Sequence, residues 1–244
     1  MNYFEQGPED NTFNLLMVDL THRCNMECAN CYIPNREIPD MEVEPLYEFL
    51  KKLPNRIIIR LIGAEATVRK DLPDIIRNVR KCGHKVSLTT NGLKLASKNY
   101  TKKLKEAGLR MVLLSMNGAD DPDVYSIIDG GVEYANMKVK ALENIIDVGF
   151  RKVYLAAIII RDFNEGIIKE LYDISREHPK QIKNILLISV PRLTIKQLND
   201  TFQSTVGLGT QSKPMDKTHY EVYPPLGLFY LSSMFKEKND VDVQ

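Results

Sequence analysis

The chain has 244 residues, with 33 Lys and Arg against 32 Asp and Glu for a net charge of +1. That length can bury a substantial core in one α/β unit and forces no second domain. A charge near zero without a Lys/Arg-rich block argues against a nucleic-acid or anionic-membrane surface. No apolar stretch approaches the roughly 20 residues of a membrane span, and the first residues lack the basic-then-apolar export pattern. Four cysteines in such a chain, three of them clustered, suggest the reducing cytoplasm.

In chain order, apolar runs predict strands over 13–20, 56–62, 85–90, 111–117, 153–160 and 184–190. Amphipathic stretches predict helices over 43–53, 72–82, 101–107, 137–148 and 166–178. Gly149 supplies a stop after the fourth helix, and Asn164 is a candidate N-cap for the fifth. This alternation predicts an α/β fold with a parallel sheet and right-handed crossovers. Residues 202–217 are rich in Gln, Ser, Thr and Gly and read as a loop or cover. The run from Tyr223 to Ser233 reads as a terminal helix packing on the rest.

Directly after the first strand comes Cys24-Asn25-Met26-Glu27-Cys28-Ala29-Asn30-Cys31-Tyr32, a C-x3-C-x2-C run. Thiolates are soft ligands for iron–sulfur clusters or zinc, and this spacing lets one loop wrap one centre. A structural zinc or an ordinary cubane takes four protein ligands, whereas the loop offers three. Either His22 or Cys82 completes a zinc site, or one iron of a cluster is left for a substrate or cofactor.

Three strand ends accompany it. Gly63-Ala64-Glu65-Ala66-Thr67 follows the second strand, Thr89-Thr90-Asn91-Gly92 ends the third, and Ser115-Met116-Asn117-Gly118 ends the fourth. Taken singly, each is ordinary strand-to-turn chemistry.

Taken together and in this order, these motifs resemble those of the radical S-adenosylmethionine (SAM) enzymes. The resemblance implies an open parallel (β/α)6 partial TIM barrel with its site at the carboxyl ends of the strands. The barrel would occupy 1–195, and 196–244 would form a C-terminal extension packing on or covering it. It further implies a [4Fe-4S] cluster on Cys24, Cys28 and Cys31, with SAM chelated to the open iron. Glu65 would receive the SAM amino group, and Ser115 and Asn91 would line its nucleoside or carboxylate side. Tyr32, Gly63, Thr67 and Asn117 complete the implied SAM site.

The implied reaction is reductive cleavage of SAM to a 5′-deoxyadenosyl radical, which abstracts a hydrogen atom from a small-molecule or peptide substrate. An external donor of the flavodoxin or ferredoxin type would supply the electron. The sequence departs from the family at Ala64 and Ala66, which stand for glycine and proline in G-G-E-P. It also lacks an arginine in 125–131, leaving Lys138 or Arg161 to meet the SAM carboxylate. These departures motivate the competing expectation of a non-catalytic zinc- or cluster-binding interaction protein on a degenerate barrel. No cysteine follows Cys82, so no auxiliary cluster is expected on the tail, and the 223–233 run, though it resembles the opening of cobalamin-binding modules, is expected to be a terminal helix rather than part of one.

Overall fold

The computed structural model describes residues 13–29, 31, 33, 35–160 and 163–189. Six strands, β1 (Leu15–Asp19), β2 (Ile58–Ile62), β3 (Lys85–Thr90), β4 (Met111–Ser115), β5 (Lys152–Ile159) and β6 (Ile182–Ser189), form one sheet in sequence order. Every neighbouring pair is parallel. The helices between them are α1 (Glu44–Lys52), α2 (Leu72–Lys81), α3 (Lys98–Ala107), α4 (Pro122–Ile128), α5 (Tyr134–Asp147) and α6 (Ile167–Glu177). This is the expected open (β/α)6 sheet. The extension expected at 196–244 lies outside the described residues.

Alternation along each strand separates two faces. Ile59, Leu61, Val86, Leu88, Val112, Leu114, Val153 and Leu155 face the helices and are completely buried. The opposite face, carrying Met17, Arg60, Thr89, Ser115 and Leu186, lines the hollow of the sheet, where Met17 and Leu186 stay exposed.

Two helix starts depart from expectation. Helix α4 was not read from the sequence, although Asp121 caps it by accepting from the Asp123 N–H and Pro122 occupies its first turn. Asn164 does not cap α6. It is buried, its Oδ1 accepts from the Ile160 N–H (2.7 Å) and its Nδ2 donates to the carbonyls of Asn117 (3.0 Å) and Ile158 (2.8 Å). Those unpaired strand-end groups outcompete the helix terminus for the amide.

Basic residues collect at the opposite, amino-terminal mouth of the sheet. Arg56, Lys85, Arg110, Lys152 and Lys183 stand within two residues of the starts of β2–β6, around a cavity of about 1200 Å³. Helix carboxyl ends gather at the same mouth. Arg80 donates to the His84 carbonyl (2.8 Å) and Lys105 to the Gly149 carbonyl (3.1 Å), matching positive charge to the helix dipoles.

Candidate active site

The cysteine loop leaves β1 and is stitched to the loop after β2. Leu20 N–H donates to the Ile62 carbonyl (3.0 Å), Ala64 N–H to Thr21 (2.8 Å) and Glu65 N–H to Arg23 (3.0 Å). Gly63 permits this approach: with φ at +155°, a Cβ there would lie 2.6 Å from the Thr21 carbonyl oxygen. Ala64 is not among the positive-φ residues, so the missing second glycine of the motif imposes no backbone strain.

Charged side chains brace the loop from below. Thr21 Oγ1 donates to Asp40 (2.6 Å), as does Arg23 Nε (3.0 Å). Arg69 is buried and donates to the carbonyls of Leu20 (3.0 Å) and Met41 (2.7 Å) while forking onto Asp71. The hydrogen bond from Arg23 holds the Asp40 carboxyl below the usual carboxylate range, and that from Arg69 does the same for Asp71. His22 helps shape the same loop, its Nδ1 donating to the Asn35 carbonyl (3.2 Å) and its Nε2 3.5 Å from Asp19.

On its other side the cysteine loop docks against the end of α4. Ala29 N–H donates to the Ile128 carbonyl (2.9 Å), and a Cβ on Gly130 would lie 2.9 Å from the Glu27 carbonyl oxygen. Beneath this contact, Asp129 accepts from Lys138 Nζ (2.7 Å) and Asn117 Nδ2 (2.9 Å), and the ammonium sits over the Tyr125 ring. Lys138 therefore faces the interior, with no exposed surface, rather than the site. Arg161 lies outside the described residues. Burial, with the Asp129 carboxylate adding to it, pushes the Cys28 thiol up to about 12. A metal-ligating cysteine must be a thiolate, so Cys28 would have to give up its proton to serve as a ligand.

Glu65 is the most heavily bonded acid of the site, and it is buried. Its Oε1 accepts from Thr67 N–H (3.0 Å), Thr67 Oγ1 (2.6 Å) and Thr90 Oγ1 (2.8 Å), while Oε2 accepts from Asn91 N–H (2.7 Å). Three donors crowd one oxygen and one donor reaches the other, so the remaining acceptor capacity lies at Oε2. Asn91 then bridges to the cysteines, its Nδ2 reaching Asn25 Oδ1 (2.9 Å) and Cys24 Sγ (3.8 Å).

The structure thus brings Cys24, Cys28, Cys31, Gly63, Glu65 and Asn91 to one end of the sheet. Ser115 ends β4 on the hollow-facing side, and its carbonyl accepts from Lys138 (3.2 Å). Thr67 and Asn117 stand behind this group. The Thr67 hydroxyl is spent on Glu65, and the Asn117 amide is divided between Asp129 and the Ile158 N–H (2.9 Å). Tyr32 lies outside the described residues.

The remaining candidates are satisfied elsewhere. Cys82 ends α2 with its thiol toward the Tyr47 carbonyl (3.8 Å). Buried His84 accepts the Ile57 N–H at Nδ1 (3.3 Å) and meets the Leu50 carbonyl through Nε2 (2.9 Å). Among the described residues, no three His, Cys, Asp or Glu side chains converge closely enough for a single metal ion.

The donor set fits a cluster. It comprises three thiols on one loop, an amide beside one sulfur, and the guanidinium of Arg36, whose Nη2 lies 3.0 Å from Cys31 Sγ.

Residues 18–174 match the family model described as the radical SAM superfamily. Over 180 residues the chain is 33% identical to the 7,8-dihydro-6-hydroxymethylpterin dimethyltransferase of Methanocaldococcus jannaschii, covering 70% of this chain and 35% of that protein. Over 167 residues it is 31% identical to a probable GTP 3′,8-cyclase of Thermoplasma volcanium, covering 66% of this chain and 50% of that one. The chain thus spans about half or less of the length of these relatives. Among solved structures, Streptococcus suis SuiB bound to its precursor peptide SuiA superposes with a TM-score of 0.61 at 18% identity, covering 80% of this chain and 46% of that one. The AdoMet-bound anSMEcpe superposes with a TM-score of 0.60 at 17% identity, covering 91% and 59%. These two share the fold. No helix among the described residues is long and apolar enough to cross a membrane.

Proposed function

The chain belongs to the radical SAM superfamily, whose members use a [4Fe-4S] cluster and SAM, and from that premise we propose that it cleaves SAM reductively and abstracts a hydrogen atom from a small-molecule or peptide substrate. Cys24, Cys28 and Cys31 would hold the cluster, which would supply the electron for reductive cleavage of SAM.

The observation that carries this reading is Asn91, which joins the two halves of the site. Its backbone N–H holds Glu65 Oε2 while its side chain reaches Cys24 Sγ. A carboxylate pinned by four donors, with capacity left on the oxygen beside the cysteines, suits the ammonium of an amino acid. Gly63 lets the Glu65 loop lie close against the cysteine loop, and Asn91 and Ser115 border the side on which the nucleoside would lie. The end of α4 and the Glu65 loop flank the cysteine loop, whose three thiols are half-buried.

The hollow of the sheet supports a substrate bearing an acidic group. Arg60 on β2 and Thr89 on β3 share the inward face, and Arg60 Nε and Thr89 Oγ1 are buried without a hydrogen-bond partner among the described residues. An external one-electron donor of the flavodoxin or ferredoxin type would complete the system.

The test is anaerobic cluster reconstitution followed by dithionite and SAM, comparing wild type with a Cys24→Ala/Cys28→Ala/Cys31→Ala triple variant. The expected result is 5′-deoxyadenosine from wild type alone. A reduced, iron-loaded protein that shows neither SAM binding by EPR nor SAM cleavage overturns the reading, and so does a colourless protein that holds only zinc.

A further inference from the structure

Arg36 lies in the β1–α1 loop, five residues beyond Cys31. Its Nη2 donates to Cys31 Sγ at 3.0 Å, short for a nitrogen–sulfur contact and in keeping with a charge-assisted bond. Its second terminal nitrogen, Nη1, is buried and has no hydrogen-bond partner among the described residues. A buried donor left unpaired is destabilising. An acceptor beside the Cys31 sulfur would relieve it.

A [4Fe-4S] cluster held by Cys31 offers such acceptors, since its sulfurs carry partial negative charge beside the ligating thiolate. The environments of the cysteines are unequal. Cys24 meets a neutral amide at 3.8 Å, whereas Cys31 meets a permanent cation at 3.0 Å.

We propose that Arg36 sets the reduction potential of the cluster by donating to the Cys31 thiolate, one arm of its fork on the ligand sulfur and the other available to the cluster. This rests on the radical SAM reading above, and Arg36 acts as a positioning residue rather than a catalytic one. Reduction adds one electron, delivered by the external donor and passed on to SAM, and the guanidinium neither gains nor loses a proton. A fixed positive charge and hydrogen bonds at the sulfurs favour the more negative, reduced form, which raises the potential.

The experiment is an EPR-monitored redox titration, without SAM, of reconstituted wild type, Arg36→Lys, Arg36→Met and the control Arg77→Met. Arg77 pairs with Asp74 on the exposed side of α2. The expected result for Arg36→Met is about a tenfold shift of the one-electron equilibrium toward the oxidised form, about 59 mV more negative. Arg36→Lys should fall between, because lysine keeps the charge and loses the fork, and Arg77→Met should titrate as wild type. Wild-type potential in an Arg36→Met protein with full iron and sulfide overturns the proposal. So does loss of iron with the residual clusters titrating normally, which would make Arg36 a brace for the loop. The readout needs no SAM, so failure of wild type to cleave SAM would sink the enzymatic reading and leave this result standing.

Discussion

Lys138 Nζ lies 2.7 Å from Asp129 Oδ2, and neither side chain is more than 3% exposed. Both partners are fully engaged, the ammonium with the Ser115 carbonyl and the Tyr125 ring, the carboxylate with Asn117. Breaking a buried pair strands a charge, which costs about 3–5 kcal/mol, whereas replacing both partners by apolar groups costs far less. Lys138→Met should therefore lower unfolding stability by about 3–5 kcal/mol in urea titrations, and Lys138→Met/Asp129→Leu should recover part of that loss. Because Asp129 directly follows the carbonyl that holds Ala29, the single variant should also load less iron. A double variant as unstable as the single would show that the pair is not the source.

Gly63 fixes how near the cysteine loop comes to the Glu65 loop. A methyl group there meets the Thr21 carbonyl oxygen, a backbone atom that cannot turn aside. Gly63→Ala should push the loops apart, breaking the Ala64-to-Thr21 and Glu65-to-Arg23 hydrogen bonds. Iron and sulfide per chain after reconstitution should fall severalfold. Ala64→Gly, at a position without positive φ, should load as wild type. Equal loading by both variants would refute this account of the motif.

The six strands were legible because each is a short apolar run with a turn signal at its end. What escaped was long-range. Helix α4 has seven residues and too few turns to display a period, so only Asp121-Pro122 marked it. Asn117 sits in a motif that suggests ligand contact, yet its amide serves Asp129 and β5, partners 12 and 41 residues away. Lys138 read as a free cation because nothing adjacent in sequence reveals its pairing with Asp129. The basic mouth has the same character. Arg56, Lys85, Arg110 and Lys152 are separated by whole βα units, so no basic block appears until parallel strands align their starts. Arg36 carried no motif, and its contact with Cys31 depends on how the intervening loop folds back.

Glu65 offers a more selective test of SAM binding. Glu65→Gln retains the shape but replaces one oxygen by an NH2 group facing donors from Thr67, Thr90 or Asn91. A hydrogen bond to a charged group is worth about 1.5–3 kcal/mol. SAM affinity in the reconstituted protein should therefore weaken by about 10- to 100-fold by anaerobic calorimetry, with iron content kept. Thr90→Val, which removes one donor and leaves the charge, should weaken it less. Unchanged affinity in Glu65→Gln would exclude Glu65 from the ammonium contact.

Arg69 links the cysteine loop to acid stability. Its bonds hold the Asp71 carboxyl below the usual range, and Arg23, with smaller help from Arg69, does so for Asp40. An unfolded Asp titrates near 3.9. Well above that value both carboxylates are charged whether the chain is folded or not, and their contribution to stability is fully present. As pH falls below it, the unfolded chain takes up protons first, so the contribution is lost progressively down to the depressed folded values. Arg69→Met removes the main cause for Asp71 and leaves the carbonyls of Leu20 and Met41 without their buried donor. At pH 7 the variant should be less stable by about 2–4 kcal/mol. Between pH 5 and pH 3 its urea midpoint should fall less steeply than that of wild type, because less proton uptake separates its two states. Parallel slopes with a constant offset would assign the whole effect to the carbonyl contacts and none to the ion pair.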